Sequence, residues 1–511
     1  MALSSLMLQL GSWIHALILL HLPSWILQSR KLTTTSEFLH RVESQLIDPL
    51  LGDGLLQLSR DLKTQLKQRL QNDHACVLPS YNTTLPTGQE KGHYLSLDVG
   101  GSTLRVALVS LGGSRDAEIV SFKAYKITRD VKELVGPCFF DWMALRIVET
   151  LKQSGHQNLD EIVPLALAWS FPIDGRIHPM GKGFRASDGL VGSDLAQVIE
   201  SACHRAGLVA QLGVILNDGS ATLLSSAYTH ESTRFGLILG TGLNVAAYLP
   251  VSLVGQSKLE GRSEGWLAGS SEVIVNNEAG MFGHGILPAT VWDEELRRDL
   301  GLDLQPLEYM TSGMYLGEIA RRVMVEGVVS HGLLGGHGLL GGVLPPSLSE
   351  VYSLSTANMA LVESDVDPTL DMARKAFAAA HPSQHEPTVE DMKALQQLFA
   401  ALSRRSAALV AAYVHAAWEL RREGLSNEPM SVHGATELAM TTTTVAFSGS
   451  VIENYPGYHS TCQEYLDALV HRSWSHDHDK PVPEIRLVPA KESALIGAGV
   501  GFASQGTATC E

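Results

Sequence analysis

Apolar residues recur at helical spacing from Ser36 to Leu70, with Phe38, Val42, Leu46 and Leu50 on one side and Leu58, Leu62, Leu66 and Leu70 on the next. Pro49 and Gly52 interrupt the run, so the spacing predicts two helices. From Tyr94 to Val109 and from Glu118 to Thr128 the pattern becomes that of strands, with GGSRD between them, an opening sheet rich in hairpins. Asp141 to Ser154 reads as helix, Ile162 to Phe171 as strand, Leu195 to Ala206 as helix and Val214 to Leu216 as a short strand. Asp218 then begins a turn into a helix near Leu223. After about residue 230 the strand-turn-strand opening returns as Phe235 to Leu239, GTG, and Val245 to Leu249. This recurrence predicts a duplicated core with a cleft between the copies. Pro387 to Glu423 is Ala-rich and predicts a long helix. The doubled hexamer HGLLGGHGLLGG, His331 to Gly342, predicts a surface loop, because its glycine density raises the entropy cost of any fixed structure.

Each recurrence places a glycine turn where a strand ends. In LDVGGSTLR, Leu97 to Arg105, Gly100 and Gly101 can turn N–H groups toward an anion, Ser102 and Thr103 add hydroxyls, and Asp98 is placed to hold a hydrated magnesium ion. Arg105 suits a phosphate site and an ordinary turn equally. A lone Gly-Gly after a strand is more often a hairpin turn than a phosphate cradle. The second turn, Gly240, Thr241 and Gly242 in LILGTGLN, raises the specificity, since two such turns can clamp one polyphosphate.

Between the turns lie SFP at Ser170 to Pro172, MGKGF at Met180 to Phe184, and ILNDGSAT at Ile215 to Thr222. That order resembles the sugar kinases of the hexokinase family, within the wider group that shares the actin-like ATPase fold. Val77 to Gly101 and SGMYLGEIARR, Ser312 to Arg322, extend the resemblance to nearly the whole chain beyond about residue 36. It implies an α/β, two-domain actin-like ATPase (ribonuclease H-like) fold with a cleft between duplicated cores. The expected divisions are a hydrophobic N-terminal segment 1–31, a small N-terminal domain 36–229 and a large C-terminal domain 230–505.

Phosphoryl transfer to a sugar needs a base at the hydroxyl, a cation at the migrating charge and groups that hold the ring. Asp218, after a strand end, is the candidate base, and Asn217 beside it can hydrogen-bond the ring. The family's base and a sugar ligand match these positions. Lys182, flanked by Gly181 and Gly183 that let backbone approach a ligand, can stabilise developing charge or bind the sugar, and with Gly183 and Phe184 it matches the family's motif, which implies a catalytic role. The resemblance further implies sugar contacts from Ser170, Asn244, Asn276, Glu278 and Glu308, ATP and Mg2+ as cofactors, and an adenosine contact at Gly449 and Ser450 in FSGSV. In that last motif Ser448 replaces an acid. KESALIGAG, Lys491 to Gly499, stands where the family has an acid followed by Gly-Ser-Gly, and here the glycine turn is eroded to Ser493, Ala494 and Leu495.

The sugar pocket also departs from the glucose-phosphorylating pattern. Met180 and Gly181 stand for Trp-Thr, Gly219 for Thr and Ala279 for Trp, changes that remove bulk and hydrogen-bonding groups without touching base or lysine. Such a pocket suits a bulkier 2-substituted hexose, and the altered motif is similar to that of fungal N-acetylglucosamine kinases. The expectation is an ATP-dependent kinase acting on the 6-hydroxyl of N-acetylglucosamine ahead of glucose or mannose. The rival is a hexokinase-like sugar-binding regulator with weak or no catalysis, which the erosion at 492–495 favours.

The chain has 511 residues, long enough for two cores. Its 38 basic and 54 acidic residues give a net charge of −16, which opposes nucleic-acid binding. The five scattered cysteines lack metal-type spacing and suit free thiols in a reducing compartment. HDHD, His476 to Asp479, suits a solvated loop better than a metal site. Ala2 to Leu27 carries no formal charge and is followed by Arg30 and Lys31. It reads equally as a membrane anchor, with the catalytic part on the cytosolic side, and as an amphipathic or buried extension. A cytoplasmic enzyme is expected in either case, and the sequon at Asn82 is without consequence there.

Overall fold

The computed structural model describes residues 34–153, 162–171, 175–180, 183–301, 303–332, 339–427, 432–474 and 481–506. The strands are β1 (Leu78–Pro79), β2 (Lys91–Val99), β3 (Thr103–Gly113), β4 (Asp116–Lys126), β5 (Val163–Trp169), β6 (Ala210–Leu216), β7 (Thr233–Leu239), β8 (Leu243–Pro250), β9 (Glu272–Asn276), β10 (Thr442–Ser448) and β11 (Glu484–Pro489). They form two sheets, ordered β4-β3-β2-β5-β6 and β1-β9-β8-β7-β10-β11. Each contains the same plan: an antiparallel meander of three strands, then two strands added in parallel. The parallel additions require crossovers, and helices supply them.

The equivalence extends to α1 (Asp218–Thr229), which follows β6, and α2 (Ser493–Gly506), which follows β11. Each packs on the other copy's sheet, α1 against β7 and β8, α2 against β2 and β5, and the two helices touch. Missing side chains permit this closeness. A Cβ on Gly236 would stand 2.3 Å from the Gly219 carbonyl oxygen, and one on Gly497 would stand 1.9 Å from that of Ala221. Val214, Leu216, Leu223, Leu224, Leu495 and Val500 close the apolar layer between the sheets. On the far side of the first sheet, helices Pro137–Gln153 and Leu195–Arg205 bury Phe139, Phe140, Met143 and Ile199 against Leu165, Trp169 and Phe184. Burying each large apolar side chain contributes roughly 1.5–3 kcal/mol.

Compactness divides the chain into one unit of Met1–Asp48 with Gly317–Leu402 and another of Pro49–Leu316 with Ser403–Glu511. The second holds both sheets and every described site candidate. In the first, Thr34 and Glu37 form a reciprocal cap on helix Thr35–Ile47. Buried Glu318 there pairs with Arg321 and accepts from the Tyr352 N–H at 2.7 Å.

The long helix runs Val389–Asn427, and the strand expected at Val214 starts earlier, at Ala210. Residues 333–338 of the doubled hexamer, the 2–27 segment and HDHD lie outside the described residues. No helix among the described residues is long and apolar enough to cross a membrane. Asn82 of the sequon is buried, at 6% exposure.

Candidate active site

Asn217 is the N-cap of α1. Its Oδ1 accepts from the Ser220 N–H at 2.8 Å, while its Nδ2 is buried without a protein partner among the described residues. A buried donor left unmet costs about 1–3 kcal/mol, so this atom is suited to a ligand oxygen. Half-buried Asp218 is the first residue of α1, and its Oδ1 accepts from the Gly219 N–H at 2.8 Å. Its place at the first residue of the helix holds the carboxylate at the strand end, where a proton acceptor is required.

At the start of the second sheet, amides and acids form a relay. Asn244 Nδ2 donates to Asn276 Oδ1 at 2.9 Å, and Asn276 Nδ2 donates to Glu278 Oε1 at 2.8 Å. Asn244 Oδ1 accepts from the Val245 N–H at 2.7 Å, so the backbone sets the amide's orientation. Glu278 has φ +52°, ψ +55°, a left-handed conformation unusual for a residue with a side chain. Glu308, from helix Pro306–Thr311, accepts from the Leu243 N–H at 2.8 Å. Its approach depends on glycine, since a Cβ on Gly242 would lie 2.7 Å from Glu308 Oε2 and one on Gly280 would lie 2.9 Å from Glu308 Cβ.

The Gly240–Gly242 turn closes with a 3.0 Å bond from the Gly240 N–H to the Gly242 carbonyl, and the Gly313 N–H holds the Gly240 carbonyl at 2.8 Å. Parallel pairing of β7 with β10, Ile238 opposite Ser448, brings the FSGSV segment alongside. A Cβ on Gly449, φ +130°, would sit 2.3 Å from the Leu239 carbonyl oxygen. The Gly449 N–H donates to Glu453 Oε1 at 2.8 Å.

The first turn carries charge. Arg105 Nε donates to Asp98 Oδ2 at 2.6 Å across the β2–β3 hairpin, where the two residues are directly opposite, and Arg105 Nη2 also contacts Asp98 Oδ2. Arg105 Nη1 reaches Glu492 Oε2 at 3.4 Å. Burial raises the Asp98 pKa, and the Arg105 charge opposes that rise. The Gly100 N–H closes the turn on the Thr103 carbonyl at 3.0 Å, and the Ser170 N–H bonds the Val99 carbonyl at 3.2 Å, bringing Ser170 beside it. At the eroded motif, the Ser493 hydroxyl pairs with that of Thr222 at 2.9 Å, joining α2 to α1.

Asn244, Asn276, Glu278 and Glu308 therefore converge, Gly240 to Gly242 meet Gly449 and Ser450, and Asp98 and Arg105 meet Glu492. Lys182 and Gly181 lie outside the described residues. Glu492 as a partner of Arg105, Gly280 as the bed for Glu308 and Glu453 as the cap on Gly449 escaped sequence reasoning. For Gly280, the glycine in NNEAGMFG was the available signal.

Family models described as hexokinase match residues 49–228 and 234–504. A hexokinase of Kluyveromyces lactis is 28% identical over 436 residues, 83% of each chain. A glucokinase of Aspergillus niger is 26% identical over 473 residues, 85% of this chain and 90% of that one. The solved structure of a Schistosoma mansoni hexokinase complexed with glucose superposes with a TM-score of 0.71 at 25% identity, covering 92% of this chain and all of that one. The chain belongs to the hexokinase family and is an ATP-dependent sugar kinase, a phosphotransferase with an alcohol acceptor.

Proposed function

We propose that Asp218 accepts the proton of a hexose 6-hydroxyl as its oxygen bonds to the terminal phosphorus of ATP. The bond from that phosphorus to the bridging oxygen breaks, and ADP leaves with the electron pair. Asn217, Asn244, Asn276, Glu278, Glu308 and Ser170 hold the ring, and Lys182 offsets charge at the migrating group. The converging acids and amides carry this reading: their hydrogen bonds set the orientation of a polyol before it arrives. The nucleotide lies along Gly240, Thr241, Gly242, Gly449 and Ser450, with Gly100, Gly101, Ser102 and Arg105 on the first turn. Asp98 suits a hydrated Mg2+, since a single carboxylate acting through water is enough when the phosphates supply the other oxygens. That ion would neutralise charge on the phosphates.

We further propose an acceptor with an acetamido group at carbon 2, N-acetylglucosamine, on the loss of bulk at Gly181, Gly219 and Ala279. One observation favours ordinary glucose or mannose instead. Ala279 has no exposed surface, and a Cβ on Gly219 would already lie 3.3 Å from the Ala246 nitrogen, so neighbouring atoms crowd both positions. ADP release measured with both sugars in competition separates the readings. A higher kcat/KM for N-acetylglucosamine is expected; preference for glucose would overturn the acetamido assignment. Hexose binding without phosphorylation, in folded protein, would overturn the catalytic roles.

A further inference from the structure

Helix Asp53–Asn72 buries Leu58, Leu62, Leu66 and Leu70 along one stripe. The next stripe carries half-buried Gln65 and Arg69, one turn apart and therefore neighbours on the helix surface. Both reach backbone that lies 212 to 219 residues further along the chain, just beyond Glu278. Gln65 Oε1 accepts from the Gly283 N–H at 3.0 Å, and Gln65 Nε2 donates to the His284 carbonyl at 2.8 Å. The amide thus pairs with the chain as a neighbouring strand would. Arg69 Nη1 donates to the Met281 carbonyl at 2.9 Å, its guanidinium carbon stands 4.8 Å from the Phe282 ring centroid, and its Nη2 lies 3.3 Å from His284 Nδ1. Asp73, one turn further along the helix, keeps a carboxylate oxygen 3.7 Å from Arg69 Nε.

The gripped segment connects the two carboxylates assigned to the hexose, Glu278 and Glu308. At its start the Glu278 carbonyl accepts from the Met281 N–H at 3.0 Å, so residues 278–281 form one closed turn. Next along, the Phe282 carbonyl accepts from the Leu307 N–H at 3.1 Å, which ties the turn to the residue before Glu308. Phe282 itself is fully buried, its ring edge-on to Tyr413 with centroids 5.3 Å apart. A left-handed residue such as Glu278 persists only where its surroundings hold it. Gln65 and Arg69 supply three of the hydrogen bonds that do so.

We propose that Gln65 and Arg69 are positioning residues for the hexose: by fixing the 281–284 backbone they set where Glu278 and Glu308 stand relative to one another. This rests on the reading that Glu278 and Glu308 bind the ring. When the clasp is lost, the turn relaxes at Glu278 and the two carboxylates no longer match the spacing of the hydroxyls. Residues 281–284 carry none of the assigned nucleotide contacts, so the loss falls on the hexose.

The test is kinetic, on the full chain, with each substrate varied in turn and with whichever of glucose and N-acetylglucosamine the chain phosphorylates faster. Gln65→Leu, which removes both side-chain bonds, and Arg69→Met should each raise hexose KM roughly 5-fold, with ATP KM within about 2-fold. Arg69→Lys keeps a donor for the Met281 carbonyl and should return to within about 2-fold of the parent. Gln65→Glu keeps the acceptor for the Gly283 N–H, should lie between, and serves in place of Gln65→Leu if that variant fails to fold. Equal rises in both KM values, or none, would overturn the proposal. A double-mutant cycle separates positioning from general loosening. In a Glu278→Gln background, Gln65→Leu should raise hexose KM by a smaller factor than in the parent, because the carboxylate it holds is already altered; the same factor in both backgrounds would overturn the positioning role. If Glu278→Gln raises hexose KM and Gln65→Leu does not, the clasp falls and the hexose site stands; if Glu278→Gln changes nothing, both fall.

Discussion

The two glycine turns open equivalent sheets by the same device and carry opposite chemistry. In the first, the residues facing each other before the turn are Asp98 and Arg105, a charge pair extended to Glu492; in the second they are Ile238 and Asn244. The first turn closes from Gly100 to Thr103, the second from Gly240 to Gly242, one residue tighter. The two backbones share one plan, and their side chains divide the labour. The charged hairpin of the first suits phosphates and their cation, whereas the second faces the nucleotide with its glycine backbone and carries beside it an amide relay, ending in the Glu278 carboxylate, that suits hydroxyl groups.

Proton transfer lies outside both turns, so Asp218 gives the largest effect. Asp218→Asn keeps the α1 start and its size but removes the acceptor. Turnover should fall at least about 100-fold, as general-base loss commonly does, while hexose binding followed by calorimetry persists. Near-normal turnover would make orientation by the turns sufficient and erase the contrast with them.

The sequence made the alternation of strands and the doubled opening legible, because period-two apolar runs bounded by glycine carry that information locally. Resemblance located Asn244, Asn276, Glu278 and Glu308, but not why Gly242 and Gly280 stand beside them. That reason is a contact between residues far apart in the chain, visible only once helix Pro306–Thr311 sits over the turn. The exchange of α1 and α2 between sheets was hidden similarly. Gly236 and Gly497 look like helix and strand breakers until a second backbone fills the missing side chain's place. At 492–495 the sequence reads as erosion, whereas the structure finds Ser493 bonded to Thr222 and Glu492 paired with Arg105.

The second turn can be broken alone. Gly242→Ala places a methyl group where Glu308 Oε2 lies at 2.7 Å, so the carboxylate or the turn must move. Hexose kcat/KM should fall about 30-fold, since a displacement near 1 Å at an orienting group can cost up to about 100-fold. Steady-state kinetics with each substrate varied in turn would check this. Because Gly242 also lies on the proposed nucleotide path, ATP kcat/KM should fall as well, and a loss confined to ATP would remove Glu308 from the hexose site.

The first turn gives the smallest effect, because its pair is partly open to solvent on the arginine side. Arg105 is 36% exposed and Asp98 8%, so water can replace part of what the guanidinium supplies. Arg105→Met keeps much of the apolar stem but leaves a buried carboxylate without its cation, a change that costs more than the pair itself contributes. Two consequences oppose each other. Freed from Arg105, Asp98 is a more available anchor for hydrated Mg2+, yet a phosphate-facing cation is lost and the hairpin is less firmly oriented. Loss of orientation should prevail when Mg2+ is saturating, raising ATP KM roughly 5-fold with hexose KM nearly unchanged. Titrating Mg2+ at fixed ATP then separates the terms: the variant should reach half-maximal rate at a Mg2+ concentration no higher than the parent's. A raised requirement for Mg2+ would show that Arg105 helps hold the ion's site together, and a rise in hexose KM would dissolve the division between the two turns.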